Sequence, residues 1–357
     1  MKKIILNGIT LTQSEIYGVQ RYATEILYEL DKIICPGELE VIVAEKGQRE
    51  LQFKNISVVK VPVDVSVRKQ LRNWNMFGFS RYVKKCGGIS MDLTLTLPIG
   101  KCDIVAIHDC IIERCKPNAN TFRKKIGRLY YIFKAWLNIK RAKAVITVSE
   151  YSKNDIIRLY HISKKKIAVI GNAWQHFDRV IPDKNVLEQL DIKDRDFIFA
   201  LGSRSFHKNF KWIAEAAKQN PKYVFVVSGS SNLSTSDKAL DGSIKNLIYA
   251  GYLNDSEVKA LMMHCKAFVQ PSLYEGFGIP PMEAMSCGAR CIVSKATSLP
   301  EIYGKSVWYI QPRKYDGINI DEIMSCRIED NSRVLDRFSW ARSARRLKLL
   351  IDKVNRE

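Results

Sequence analysis

Short runs of aliphatic and β-branched residues recur along the chain, separated by longer stretches with apolar residues three and four apart. In the first half, residues 3–8 (KIILNG), 39–44 (LEVIVA), 103–109 (DIVAIHD), 144–148 (AVITV) and 166–170 (KIAVI) read as buried strands. Residues 19–30, 67–83, 121–141 and 151–160 between them carry helical spacing. The pattern then restarts. Residues 196–203, 223–230, 246–253, 267–272, 290–294 and 306–310 read as strands, with helices over 209–218 and 255–265. A basic helical segment, 340–354, closes the chain. Buried strands alternating with helices imply parallel sheets joined by right-handed crossovers. The expectation is α/β, with two doubly wound Rossmann-like domains in series.

Length agrees with two domains, since 357 residues exceed one typical core. Residues 174–194 are polar and read as the hinge. Ligands of open parallel sheets bind beyond the carboxyl ends of the strands. Polar residues at those ends are therefore the candidate site.

The richest of them lies in LYEGFGIPPMEAM, residues 273–285. Glu275 and Glu283 stand eight residues apart around Gly276, Phe277 and Gly278. The glycines suit unusual backbone angles and close ligand approach. Pro280 and Pro281 suit a helix start, where a missing N–H costs least. Glu283 is expected in the first turn. Free N–H groups there favour an anion such as a phosphate. Glu283 suits vicinal ribose hydroxyls, and Glu275 those of a sugar. A helix start with a dipole-favoured glutamate, and a surface glutamate before it, fits the same pattern.

Two more strand ends carry polar residues. The strand 196–203 turns through Gly202 and is followed by Arg204, His207 and Lys208, cations able to grip a diphosphate beside a helix start. The spacing is not that of a P-loop. After 103–107 come His108 and Asp109. Near the amino terminus, Gly18 precedes a helix and allows a backbone N–H to approach a phosphate. Solvated basic loops and a structural histidine remain the plainer readings. No D-x-D pair of the kind that holds Mg²⁺ or Mn²⁺ against a diphosphate is apparent and no H-x-x-H spacing stands out, so no metal or cofactor is expected.

The formal charge of +20 seeks anions. It is uneven. Residues 114–143 hold ten Lys/Arg and residues 66–90 hold six, neither with an acid. Aromatic residues intersperse both, including Trp74, Phe77, Phe133 and Trp136. A solvated helix face reads this way, and so does the surface of an anionic bilayer. No run is long enough to span a membrane, and nine cysteines without a C-x-x-C read as reduced thiols. The opening residues lack a signal-peptide pattern, so a cytoplasmic location is expected.

Taken together these stretches resemble the retaining GT-B glycosyltransferases of family 4, over nearly the whole chain. The match from Pro271 to Gly288 follows the family's PS-x-x-E-G-F-G-x-P-x-x-E-A-M-x-x-G, with Glu275 and Glu283 as its E-x7-E. Residues 142–156 resemble its V-S-E-x-S segment. VIGNAW (169–174) resembles its hinge, with Ala173 where glycine is usual, and residues 338–344 its C-terminal helix. The resemblance implies a GT-B fold, with two domains facing a central cleft and the last helix crossing back to the first domain. The divisions are 1–173 for acceptor binding, 174–195 as linker, 196–337 for nucleotide-sugar binding and 338–357 as the returning helix.

It also implies residue roles. Glu283 would bind ribose, and Glu275 would face the donor sugar with Gly276, Phe277, Gly278 and Ile279 around it. Lys208 and Arg204 would hold the diphosphate, beside Gly202 and Ser203. Gly18 would approach it, and His108, with Asp109 beside it, would contact the sugar near the reacting carbon. The backbone at Tyr252 and Leu253 would meet the base. Many members place an arginine where this chain has Ser203; here Arg204 is one later. The implied function is metal-independent, retaining transfer from a nucleotide-diphospho-sugar to a polyprenyl-diphosphate-linked saccharide or other glycan. That transfer would serve O-antigen or capsule synthesis, peripherally on the cytosolic face of the inner membrane. GDP-mannose, dTDP-rhamnose and UDP-hexose donors all stay open. A sugar-nucleotide epimerase or phosphorylase of the same fold, and a basic nucleic-acid-binding protein, are the competing readings. No nucleic-acid module is visible, so no nucleic-acid partner is expected.

Overall fold

In a computed structural model the described residues are 2–14, 16–115, 122–202, 206–229 and 244–357. They form two compact units, residues 1–172 with 340–357, and residues 173–339.

In chain order, the first unit contains β1 (Ile4–Asn7), α1 (Gly18–Asp31), β2 (Leu39–Lys46), β3 (Ser57–Asp64), α2 (Arg68–Asn73), α3 (Phe79–Cys86), β4 (Ile89–Asp92), β5 (Ile104–Ala106), α4 (Ile111–Arg114), α5 (Phe122–Arg141), β6 (Ala144–Thr147), α6 (Glu150–Tyr160) and β7 (Ile167–Val169). Its seven strands are all parallel, in the order β3-β2-β1-β4-β5-β6-β7. The central strands are wholly buried, because helices cover both faces of a parallel sheet.

Two strands escaped the sequence pattern. β3 is an edge strand whose Lys60 faces solvent and whose Pro62 breaks the apolar run. β4 has only four residues, directly after Gly87 and Gly88. The helix expected over 67–83 is interrupted by a π turn, Trp74–Gly78, between α2 and α3. There the Trp74 indole donates to Asn7 Oδ1 at 3.0 Å, tying the bulge to the end of β1.

The second unit holds α7 (Asn185–Gln189), β8 (Phe197–Leu201), α8 (Phe210–Gln219), β9 (Val224–Ser228), β10 (Leu247–Gly251), α9 (Asp255–His264), β11 (Ala267–Gln270), α10 (Ile279–Ser286), β12 (Arg290–Ser294), α11 (Leu299–Tyr303), β13 (Trp308–Ile310), α12 (Ile320–Ser325) and α13 (Ser332–Leu335). The six strands are parallel, in the order β10-β9-β8-β11-β12-β13. The last helix, α14 (Trp340–Arg356), returns to the first unit. It packs on α1, where the Trp340 and Tyr22 rings lie 6.2 Å apart, and Ser343 donates to the Gly171 carbonyl at 2.7 Å.

The stretch 174–195, expected as a linker, is instead part of the second unit. Its polarity misled because its polar groups are bonded within that unit. Trp174 Nε1 donates to the Leu335 carbonyl at 3.1 Å, and Gln175 Nε2 to that of Phe338 at 2.9 Å. Lys259 on α9 donates to the carbonyls of Phe177 and Val180. Four of its apolar side chains, Phe177, Val186, Leu187 and Ile192, are buried, while Ile181 is exposed.

Candidate active site

The second unit builds its site at the carboxyl ends of β8 and β11. β11 ends at Gln270, and the chain turns through Tyr274, Glu275, Gly276 and Phe277, all buried, before α10. Gly278 caps α10 at φ 84°, and a Cβ there would stand 2.6 Å from Leu299 Cδ2. Both the backbone angle and the space demand glycine. The Tyr303 hydroxyl donates to the Gly278 carbonyl, which ties this turn to α11. Ile279 and Pro280 then open α10. Phe277 packs edge-on against Phe338, with ring centroids 5.2 Å apart.

Glu275 is held at one carboxylate oxygen and at both of its backbone polar groups. Its Oε1 accepts from Lys208 Nζ at 2.8 Å and from Ser272 Oγ at 2.7 Å. Its backbone N–H donates to Thr297 Oγ1 at 3.0 Å, and its carbonyl accepts from Ser298 Oγ at 3.0 Å. Thr297 has φ 52°, an angle β-branched residues rarely adopt. Burial raises the Glu275 pKa, but Lys208, His207 and the hydrogen bonds from Lys208 and Ser272 together outweigh it and hold the carboxyl below its usual range. The roles implied by resemblance keep Glu275 and Lys208 apart; the structure pairs them.

Lys208 ends a single 3-10 turn, Phe206–Lys208, after β8. Asn209 follows at φ 58° and anchors this loop, its Nδ2 donating to the Pro271 and Pro312 carbonyls at 3.0 and 2.7 Å. Gly202, at φ 148°, lies against the Lys208 stem, since a Cβ there would meet Lys208 Cδ at 3.2 Å. His207 is pushed down to about 4 by burial, then by the Lys208 charge. Ser203 and Arg204 lie outside the described residues. Gln270, buried at the end of β11, has an amide with no hydrogen-bond partner among the described residues. It lines a cavity of ≈ 20 Å³ with Gly202, Lys208 and Ser272, room for about one water.

Glu283 occupies the fifth position of α10, in its second turn rather than the expected first. It is buried, and its Oε1 lies 2.8 Å from Nε2 of His176, which is also buried. An ionised carboxylate only accepts, so the imidazole N–H is the donor. Sequence reasoning missed His176. No spacing pointed to it, since it is 107 residues from its partner and sits in a stretch read as linker. Tyr252, just past β10, is exposed, and Leu253 half-buried.

In the first unit, His108 follows β5 at the carboxyl edge of the sheet. Its Nε2 lies 3.0 Å from the Leu93 carbonyl, and its ring stacks edge-on against Tyr22 at 4.6 Å. Burial pushes it down to about 4, so the ring is neutral near pH 7. Asp109 Oδ1 accepts from the Ile111 N–H at 2.9 Å. Gly18 is the exposed first residue of α1, whose cap offers no side-chain hydrogen bond to the free N–H groups.

The two basic, aromatic segments share one sheet face. The crossovers β3→β4 and β5→β6 step the same way across the strand order, so right-handedness places α2, α3 and α5 together. α5 leaves Phe122, Leu129, Phe133 and Trp136 exposed, Leu129 by 65%. Arg128 is not a free surface cation: its guanidinium donates to the Ile112 and Glu113 carbonyls at 2.8 and 2.9 Å. Among the described residues no helix is long and apolar enough to cross a membrane.

Two parallel, doubly wound α/β units with these strand ends define the GT-B class of fold. Over the whole chain the structure is similar to Anabaena Alr3699/HepE, solved in complex with UDP and glucose. The TM-score is 0.65 at 16% identity, covering 100% of this chain and 98% of that one. Two family profiles match successive stretches, Glycosyltransferase Family 4 over residues 16–174 and Glycosyl transferases group 1 over residues 183–333. The chain belongs to the group 1, family 4 glycosyltransferases. The O-antigen chain mannosyltransferase RfbU of Salmonella typhimurium is 26% identical over 311 residues, 83% of each chain. The O-antigen chain mannosyltransferase B of Escherichia coli is 28% identical over 211 residues, 55% of this chain and 54% of that protein. The match thus spans about half the length of the latter.

Proposed function

We propose that this protein transfers a sugar, with retention, from a nucleotide-diphospho-sugar to a hydroxyl of a saccharide acceptor during surface polysaccharide synthesis. The observation that carries the reading is the Lys208–Glu275 pair at the ends of β8 and β11, followed by α10 with its buried Glu283. Glu283 accepts from the ribose hydroxyls, held in place by His176. Lys208 meets the diphosphate, where charge develops as it departs. Oε1 of Glu275 is engaged by Lys208 and Ser272, which leaves Oε2 for the donor sugar.

The bond from the anomeric carbon to the diphosphate oxygen breaks, and the acceptor oxygen bonds to that carbon on the same face. The acceptor's proton passes to the departing diphosphate, giving a glycoside and a nucleoside diphosphate. His108, neutral near pH 7, offers a donor or acceptor to the sugar rather than a charge. The chain's own cation at the diphosphate, Lys208, makes the reaction metal-independent on this reading.

The acceptor is lipid-linked, and the first unit meets it at an anionic membrane surface. The support is the shared face of α2, α3 and α5, which combines exposed aromatic rings with unopposed cations. The diphosphoundecaprenol acceptor in the name of one Escherichia coli relative, an alpha-1,3-galactosyltransferase, favours a lipid-carried glycan, and on this reading the location is cytosolic and peripheral. Incubation with a panel of GDP-, dTDP- and UDP-sugars and a polyprenyl-diphosphate saccharide tests this, with the product's anomeric configuration read by NMR. The donor's own configuration is expected. An inverted product, or hydrolysis without transfer from every donor, contradicts the proposal.

A further inference from the structure

The first unit has a second concave site, away from the strand ends that carry His108. A pocket of ≈ 620 Å³ opens at the amino ends of β1, β4, β5 and β6. Its walls are the segment Trp74–Cys86 on one side and the loop and strand starts at Gly100, Lys101, Asp103 and Lys143 on the other. These two walls meet where the Ile99 N–H donates to the Met76 carbonyl at 3.2 Å. The pocket is therefore a seam between the first basic, aromatic segment and the strand starts that follow it, with Lys143 at the end of the second segment on its rim.

Five cations line it, Lys2, Arg81, Lys84, Lys101 and Lys143. Among the described residues the one carboxylate in the lining is Asp103, paired with Lys101 at 3.3 Å. Among the described residues Arg81 has no carboxylate partner; it lies over the Phe77 ring, 5.9 Å from the centroid. Among those residues Lys84 has none either, and the Lys143 ammonium reaches the Val354 carbonyl, at 3.5 Å. Like charges gathered in a depression raise the local potential, which an anion relieves. Met76, Phe77 and Val83 make part of the wall apolar, and Phe77 is itself exposed. The same face carries the exposed rings of α5. A free phosphate ester has no use for that apolar wall, whereas an amphiphile uses both.

We propose that this seam binds the phosphate head group of an anionic phospholipid, as a one-to-one site within the membrane-facing surface. The proposal rests on the membrane reading above and goes further: diffuse attraction to a charged bilayer needs no pocket, and this site does. Since the pocket is built from the first unit alone, at the opposite strand ends from His108, and the donor residues Lys208 and Glu283 belong to the second, its loss leaves nucleotide binding intact.

The test uses the full chain and dihexanoyl phosphatidylglycerol below its micelle concentration, titrated by NMR. The expected result is saturable one-site binding, weakened at least tenfold in Arg81→Ala/Lys84→Ala and in the single variant Lys84→Glu. Both variants should keep the wild-type melting shift with nucleoside diphosphates, which shows that they are folded. Equal binding of glycerol 3-phosphate, or of the zwitterionic phosphatidylcholine analogue, overturns the lipid assignment. Unchanged affinity in both variants overturns the site. Sedimentation with phosphatidylglycerol vesicles separates the two levels. The α5 variant Lys124→Glu/Lys125→Glu should weaken vesicle binding while keeping short-chain lipid binding. A wild-type protein that ignores anionic vesicles refutes the membrane reading itself and, with it, the seam as a lipid site.

Discussion

Nε2 of His176 lies 2.8 Å from Oε1 of Glu283, and both side chains are buried. The contact fixes one oxygen of the carboxylate proposed to hold the ribose, and so aims the other. His176→Ala removes a charge-assisted hydrogen bond, an effect of about 1.5–3 kcal/mol. The expected outcome is a rise of roughly 10- to 150-fold in the donor KM, with kcat less affected. His176→Gln, which keeps an N–H donor near the Nε2 position, should recover part of the loss. A donor KM unchanged in His176→Ala contradicts the role.

Lys208 and Glu275 are predicted to fail separately and to rescue each other only in stability. Lys208→Met should lower kcat/KM by at least about 100-fold, as expected for loss of a group that stabilises transition-state charge. It also leaves Glu275 buried without its cation, so the melting temperature should fall. Adding Glu275→Gln removes that stranded charge and should restore much of the melting temperature, but none of the turnover. Near-normal turnover in Lys208→Met sinks the assignment.

Gly278→Ala should destabilise the protein by about 2–4 kcal/mol. The left-handed angle costs an alanine about 1–2 kcal/mol, and the new Cβ meets Leu299 Cδ2 at 2.6 Å. Gly202→Ala behaves differently. It too strains the backbone, at φ 148°, but its Cβ also presses on the Lys208 stem at 3.2 Å, so activity should drop by more than the loss of stability accounts for. Denaturant unfolding and turnover, measured side by side, check both; equal effects in the two variants would contradict the distinction.

Acid should unfold this protein early. Burial holds His108 and His207 neutral, each pushed down to about 4. The unfolded chain takes up protons near pH 6.5, so it binds more of them than the folded state below that pH. The histidine contribution is full above pH 6.5 and is lost as pH falls from there toward 4, up to ~3 kcal/mol for each. Denaturant unfolding at pH 7.5 and 5 should show the drop, and His108→Gln should show a smaller one. An equal drop in the variant contradicts the neutral-histidine account.

Much of this architecture was legible because parallel strands are uniformly apolar and the turns between them are chemically marked. The stretch 273–285 gave strand, glycine turn and proline-led helix in one reading. β3 was missed because an edge strand need not be apolar, as Lys60 shows. β4 was missed because four residues carry too little periodicity. Within the site, the glutamates and Lys208 sat in recognisable local contexts. Their partners did not: His176 and Thr297 reach Glu283 and Glu275 from 107 and 22 residues away. Such pairings arise only when the chain folds. The seam pocket is similar, since one wall was visible as a charge run but its neighbours at Lys101 and Asp103 were not.

Thermal melting against a panel of nucleoside diphosphates and sugar nucleotides, with and without EDTA, tests the central claim most directly. A base-selective shift unaffected by EDTA, and absent from Glu283→Ala and Lys208→Met, is the predicted result. No shift with any nucleotide, beside a strong shift with DNA or another polyanion, would contradict a nucleotide-sugar site.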